Sequence, residues 1–276
     1  MEFKLTYAIV NNENCDLHYW YQGSGPLITF VPGGNGHGRQ YNAIMAALSD
    51  KYTCVTFDRR QMSASQVKVN KILKLPQQAR DVVAVIKAMG FSKSIVFGSS
   101  LGGIIGFQLA LDFPEIIDHV ICHEAPTVSL LPNSSAIMDW LMGIKDLWNE
   151  TRDLKACQAE FESGFKGFGE PGVPQTNPPE PENPINFWDN EFYGASFYVP
   201  DMRRIIANKV SIGLMTGARS RDAFYALTTY EQEKILGCLR MTVPGHHQGY
   251  EAELEAFLPA MVEMLAELEK RRGANT

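Results

Sequence analysis

Three short clusters in this chain hold residue types that can act on a carbonyl carbon. The first is Gly98-Ser99-Ser100-Leu101-Gly102, where an apolar run at 94–99 gives way to a helical pattern. A serine in a sharp strand-to-helix turn is held in a strained conformation with its hydroxyl exposed, and small neighbours let backbone and substrate approach it. The following helix adds unpaired N–H groups aimed at the same space, and Gly103 and Gly106 let that helix sit close to a sheet. The second cluster, Pro32-Gly33-Gly34-Asn35-Gly36-His37-Gly38, directly follows an earlier apolar run. Attack on a carbonyl develops an oxyanion, which two backbone N–H groups can hold, one after the serine and one in such a glycine loop. Those residues would be Leu101 and Gly34. A phosphate cradle fits poorly, because the loop is not G-x-G-x-x-G and no G-K-[ST] follows. The third cluster is Pro244-Gly245-His246-His247, which offers two imidazoles as the base. No metal site is expected from this pair, since adjacent residues rarely point at one ion and no third ligand has suitable spacing.

Regular elements must bring these clusters together. Segments 3–10 and 16–22 read as a hairpin about the polar turn at 11–15. Strand patterns follow at 27–34, 53–58, 94–99, 117–124, 210–217 and 238–245. Helical patterns lie at 41–50, 76–90 and 101–114, and a closing helix starts near Glu251. Strands alternating with helices of this length imply right-handed βαβ units and a mostly parallel sheet. The rhythm breaks after Leu131 and resumes at 210. Residues 132–209 therefore read as a mainly helical insertion, with a proline-rich irregular loop at 171–184. The expected domains are a discontinuous core, 1–131 and 210–276, and an inserted lid, 132–209.

With these residues in this order, the chain resembles the α/β-hydrolase superfamily over nearly its whole length. The resemblance implies an eight-stranded, mostly parallel sheet flanked by helices. It implies that the base is His247, which precedes an aromatic residue of the last helix, Phe257, by ten positions. Most members carry their acid three residues after the glycine ending the seventh strand. Here that glycine is Gly217 and the matching position is Ser220, with Asp222 two residues too late. Cys122-His123-Glu124-Ala125-Pro126-Thr127 instead resembles the zearalenone-lactonase-like subset, which places a glutamate after the sixth strand. That likeness implies Glu124, 24 residues beyond Ser100, as the acid. The alternatives are Asp222 as the acid, or Asp222 as a helix cap and Glu124 as the cap of the insertion's first turn. Asp58-Arg59-Arg60-Gln61 resembles the family's D-x-R-G segment; Asp58 and Arg59 read as structural, and Gln61 in place of glycine puts that turn's shape in question. His119 and His123 share a strand face, where packing suits them better than metal binding, and Cys122 reads as a core thiol.

Composition narrows the partners. The chain has 276 residues, 45% hydrophobic and 20% charged, with a net charge of −6. A mildly acidic chain without a basic cluster has no electrostatic footprint for nucleic acid. No apolar run spans a bilayer, and the opening residues lack a secretory leader's pattern. Five scattered cysteines suit a reducing cytoplasm. The insertion's many aromatic residues predict an apolar pocket above Ser100, with Trp188 as a substrate contact. A serine nucleophile disfavours dehalogenase and epoxide-hydrolase chemistry within the family. The expected function is a cofactor-independent hydrolase of a carboxylic ester or lactone of a bulky apolar or aromatic molecule. The competing functions are carbon–carbon bond hydrolysis of a β-diketone and slow-turnover ligand reception.

Overall fold

The computed structural model describes residues 5–274. The chain opens on an antiparallel hairpin, β1 (Thr6–Asn12) and β2 (Cys15–Gly23), turned by Glu13 and Asn14. Both turn residues have positive φ, as a two-residue turn that follows the strands' twist requires. The sheet continues with β3 (Leu27–Val31), β4 (Thr53–Phe57), β5 (Ser94–Ser99), β6 (Ile117–His123), β7 (Ile212–Gly217) and β8 (Leu239–Val243). Its order is β1-β2-β4-β3-β5-β6-β7-β8, antiparallel as far as β4 and parallel from there on. The strands β3 to β7 are buried almost throughout, so they read in sequence as continuous apolar runs rather than alternating ones.

Helices cover both faces. On one side α1 (Asn42–Leu48) packs with the chain's last helices, its Ile44 and Met45 meeting Phe257, Met261 and Met264 in one core layer. On the other lie α2 (Leu75–Ala88) and α3 (Leu101–Asp112). Every residue of α3 from Leu101 to Leu111 is buried, so this helix is apolar all round instead of amphipathic.

Between β6 and β7 the chain leaves the sheet for α4 (Ser134–Thr151), α5 (Leu154–Ser163), α6 (Glu182–Asn186), a π-helical turn at Phe187–Glu191, α7 (Phe192–Ser196) and α8 (Met202–Ala207). This stretch builds an aromatic cluster of its own around Leu141, Trp148, Trp188 and Phe192. Burying each such side chain contributes about 1.5–3 kcal/mol. The proline-rich loop is irregular to residue 180, but α6 begins at Glu182, inside the segment expected to be loop. Proline is tolerated in a helix's first turn, where Pro184 stands, because its missing N–H has no helical partner there. After β7 come α9 (Phe224–Leu236), α10 (Gly249–Ala252) and α11 (Leu254–Ala274). The expected single closing helix is thus broken at Glu253, whose φ of −127° is not helical. Among the described residues, no helix is long and apolar enough to cross a membrane.

Candidate active site

The parallel register sets the geometry. Ser99 pairs with His123 at the ends of β5 and β6, so the next residues, Ser100 and Glu124, leave adjacent strands side by side. Both take positive φ, 56° for Ser100 and 49° for Glu124, at a cost of about 1–3 kcal/mol each. Two backbone bonds hold the turns, from Ser100 N to His123 O at 2.9 Å and from Glu124 N to Met215 O at 3.1 Å. The glycines flanking Ser100 are required by contact. A Cβ on Gly98 would stand 2.2 Å from Gly102 O, and one on Gly102 would stand 2.1 Å from Val31 O.

Glu124 is fully buried and spends both carboxylate oxygens. Oε1 accepts from Gly217 N at 2.8 Å, and Oε2 lies 2.8 Å from His247 Nδ1. Burial alone would raise its pKa, but the His247 hydrogen bond and the neighbouring imidazoles outweigh that and hold it below the ordinary carboxylate value. An ionised carboxylate only accepts, so Nδ1 of His247 carries the proton and Nε2 keeps a free lone pair. His246 points elsewhere: its Nδ1 accepts from Gln248 N at 3.0 Å, and its ring packs on Phe168. Asp222 is exposed, and the buried residue at the position after β7 is Ser220. Nor does Asp222 cap a helix, because α9 is preceded by Ala223 without a side-chain cap. Glu124 caps nothing either; α4 follows Asn133.

Ser100, Leu101, Gly34 and His247 line one cavity. Behind them is an inner compartment of about 60 Å³, and outward lies a larger one of about 570 Å³. Trp188 lines the outer compartment, with most of its ring packed on Phe192, Trp148 and Phe161.

A family model described as the α/β hydrolase fold matches residues 26–154. A thermophilic esterase from Thermogutta terrifontis superposes over 96% of this chain and 99% of its own, with a TM-score of 0.74 at 15% identity. The enol-lactonase from Burkholderia xenovorans LB400 does so over 95% and 100%, with a TM-score of 0.68 at 15% identity. The chain has the α/β-hydrolase fold. Among curated proteins, the uncharacterized hydrolase YraK of Bacillus subtilis is 34% identical over 118 residues, 42% of this chain and 43% of YraK. This α/β-hydrolase-fold chain spans under half the length of the curated relatives it matches.

Two groups at the site go beyond the sequence reading. Tyr225 is fully buried, with its ring centroid 4.1 Å from that of His247, and Phe165 meets the same imidazole edge-on at 5.4 Å. The Tyr225 hydroxyl accepts the Lys166 N–H at 3.0 Å, which ties the β6–β7 excursion to the imidazole's support. No short motif announces Tyr225; only its place after β7 could have suggested it.

Arg59, read as structural, is fully buried and donates to Gly33 O from Nε at 3.1 Å and from Nη2 at 2.8 Å. The same guanidinium pairs with Glu191 of the π-helical turn, through Nη2 to Oε2 at 2.8 Å. Asp58 accepts from Gly38 N and Ala64 N, closing the glycine loop from the other side. Gln61 takes the left-handed φ, 65°, that glycine adopts most easily, and its side chain bonds Lys71 and Asn186 to hold it. His123 is buried with Nδ1 3.0 Å from Ser99 Oγ, and burial pushes its pKa down to about 4. His119 bonds Ser211 and Glu269 instead of sharing a partner with His123, and Cys122 donates to Gly103 O.

Proposed function

We propose that this protein is a serine hydrolase of carboxylic esters or lactones, with residues 132–209 serving as a lid over the site. The observation that carries this reading is the buried Glu124–His247 pair, whose imidazole lines the same strand-end cavity as Ser100. His247 Nε2 takes the Ser100 proton as Oγ attacks the carbonyl carbon. The N–H groups of Leu101 and Gly34 hold the oxyanion. The tetrahedral intermediate then expels the alkoxide, which leaves with the proton from His247. Water, deprotonated by the same imidazole, attacks the acyl-enzyme and releases the acid, so ester and water give acid and alcohol. Glu124 fixes the imidazole's tautomer and stabilises its cation, and Trp188 contacts a bulky apolar or aromatic part of the substrate. The curated and solved relatives named above are a hydrolase, an esterase and an enol-lactonase, which agrees with this chemistry without choosing among its substrates.

Labelling with a fluorophosphonate and turnover of p-nitrophenyl acetate test this reading together. The expected result is one modified serine, Ser100, and loss of about 10⁴-fold in kcat for Ser100→Ala with the fold intact. Labelling elsewhere, or a tenth of the activity left in Ser100→Ala, removes Ser100 from the mechanism.

A further inference from the structure

The two compartments that meet at Ser100 differ in size, in polarity and in how buried their walls are. The residues found only in the inner one include Val128, Leu141, Ala195 and Tyr225, all buried, and none of that set is exposed. The residues found only in the outer one include the exposed Gln175, Asn177 and Pro178. Amide and hydroxyl side chains, Asn35, Gln40, Gln158, Thr176 and Gln248 among them, interrupt its apolar wall. Neither compartment is lined by a lysine or an arginine. The guanidinium at the outer mouth, Arg39, is engaged by Glu180 and by Pro178 O.

We infer that the site selects an uncharged ester with a short acyl group seated in the inner compartment and a larger, hydrogen-bonding leaving group in the outer one. This rests on the serine-hydrolase reading above. Reaction order decides which part goes where. In an acyl-enzyme mechanism the alcohol departs while the acyl group is still bonded to Ser100. The departing part therefore suits the compartment whose rim is exposed, and the one with buried walls holds the acyl chain until water releases it. Size sets the acyl limit. At about 60 Å³ against about 570 Å³ outside, the inner compartment has room for a short acyl chain and not for a long one. Charge sets the second limit. A carboxylate on the acyl part would lie unpaired against apolar walls, and one on the leaving group would meet the Glu162 carboxyl and no lysine or arginine in the outer compartment.

The test compares kcat/KM of the full chain on p-nitrophenyl acetate, butyrate, hexanoate and decanoate, with fluorophosphonate labelling of Ser100 alongside. The inference expects comparable values through hexanoate and a fall of at least about tenfold at decanoate. It expects Leu141→Ala, which enlarges the inner compartment, to move the optimum toward longer chains. It also expects phenyl acetate to exceed 4-carboxyphenyl acetate by about tenfold or more. Values that keep rising to decanoate, an optimum that Leu141→Ala leaves in place, or equal rates for the neutral and anionic acetates would overturn it. A labelled Ser100 with any of those outcomes leaves the hydrolase reading standing. No labelling and no turnover of any ester removes both.

Discussion

Glu124 stands where the reading of individual residues is most exposed to test. The β6 end is one strand farther from the β8 loop than the usual acid position after β7, a step of about 4.8 Å. Glutamate's extra methylene shortens that distance, and the left-handed φ at Glu124 turns the residue off the strand line. Glu124→Gln should therefore lower kcat/KM by about 10⁴-fold, as losing the carboxylate does in a serine protease triad. Asp222→Asn should change it little. Kinetics of the two variants should differ by at least about 100-fold, and equal or reversed losses would move the acid away from Glu124. Tyr225 makes a second prediction. An imidazolium over an aromatic face gains about 0.5–2 kcal/mol, so Tyr225→Leu should reduce kcat/KM roughly 2- to 30-fold relative to Tyr225→Phe, which keeps the ring. Equal kcat/KM values for both variants would show that the ring itself contributes nothing. The Ser100 turn was readable because its glycines are adjacent in sequence. Glu124 needed the likeness to one subset of the superfamily, and Tyr225 meets His247 only through tertiary packing.

At the scale of elements, the β5–α3 turn and helix α4 make opposite demands on glycine. Gly102→Ala places a methyl against Val31 O at 2.1 Å, a backbone atom of a central strand that cannot yield. Equilibrium denaturation should show a loss of about 1–3 kcal/mol or more. Gly143, inside α4, has open space around its Cβ position, so Gly143→Ala should add about 0.5–1 kcal/mol. A Gly102→Ala protein as stable as wild type would mean that the close approach is relieved by movement of β3. Strand and helix order were legible because buried parallel strands and a fully covered α3 leave long apolar runs. Termini shifted where local chemistry decides: β8 ends at Val243, before Pro244, and Glu253 breaks the closing helix. The excursion between β6 and β7 was legible as helical and aromatic, but its path was not. Its ties to the core, such as Thr176 to Gln248 and Asn177 to Glu251, join residues more than seventy positions apart.

At the scale of the whole molecule, two buried imidazoles should cost stability on acidification in a defined window, against the opposite pull of the buried Asp58, Asp81 and Glu251 carboxyls, whose pKa burial raises. Burial holds the imidazoles of His37 and His123 down to about 4, whereas both would titrate near 6.5 in the unfolded chain. Between those limits the unfolded state binds protons that the native state refuses, so stability falls as pH falls. The slope is about 1.4 kcal/mol per pH unit for each imidazole. Glu124 acts in the same direction further down: its folded pKa is depressed, so its contribution holds above the ordinary carboxylate value and is lost as pH drops through the folded one. Denaturant titrations from pH 4.5 to 6.5 should show this slope, reduced by about one proton in His37→Leu. An unaltered slope in that variant would mean His37 is protonated in the native state.

Arg59 limits how far this molecule can be treated as interchangeable parts. One guanidinium grips Gly33 O, beside Gly34, the proposed oxyanion donor, and also Glu191 in the excursion; Gln61–Asn186 and Ser63–Asn183 are further ties between the same two regions. Replacing residues 132–209 with the corresponding piece of another protein would strand a buried cation and loosen the glycine loop together. A chimera made to change what is bound would therefore also change how fast it reacts, unless the graft keeps a carboxylate where Glu191 stands.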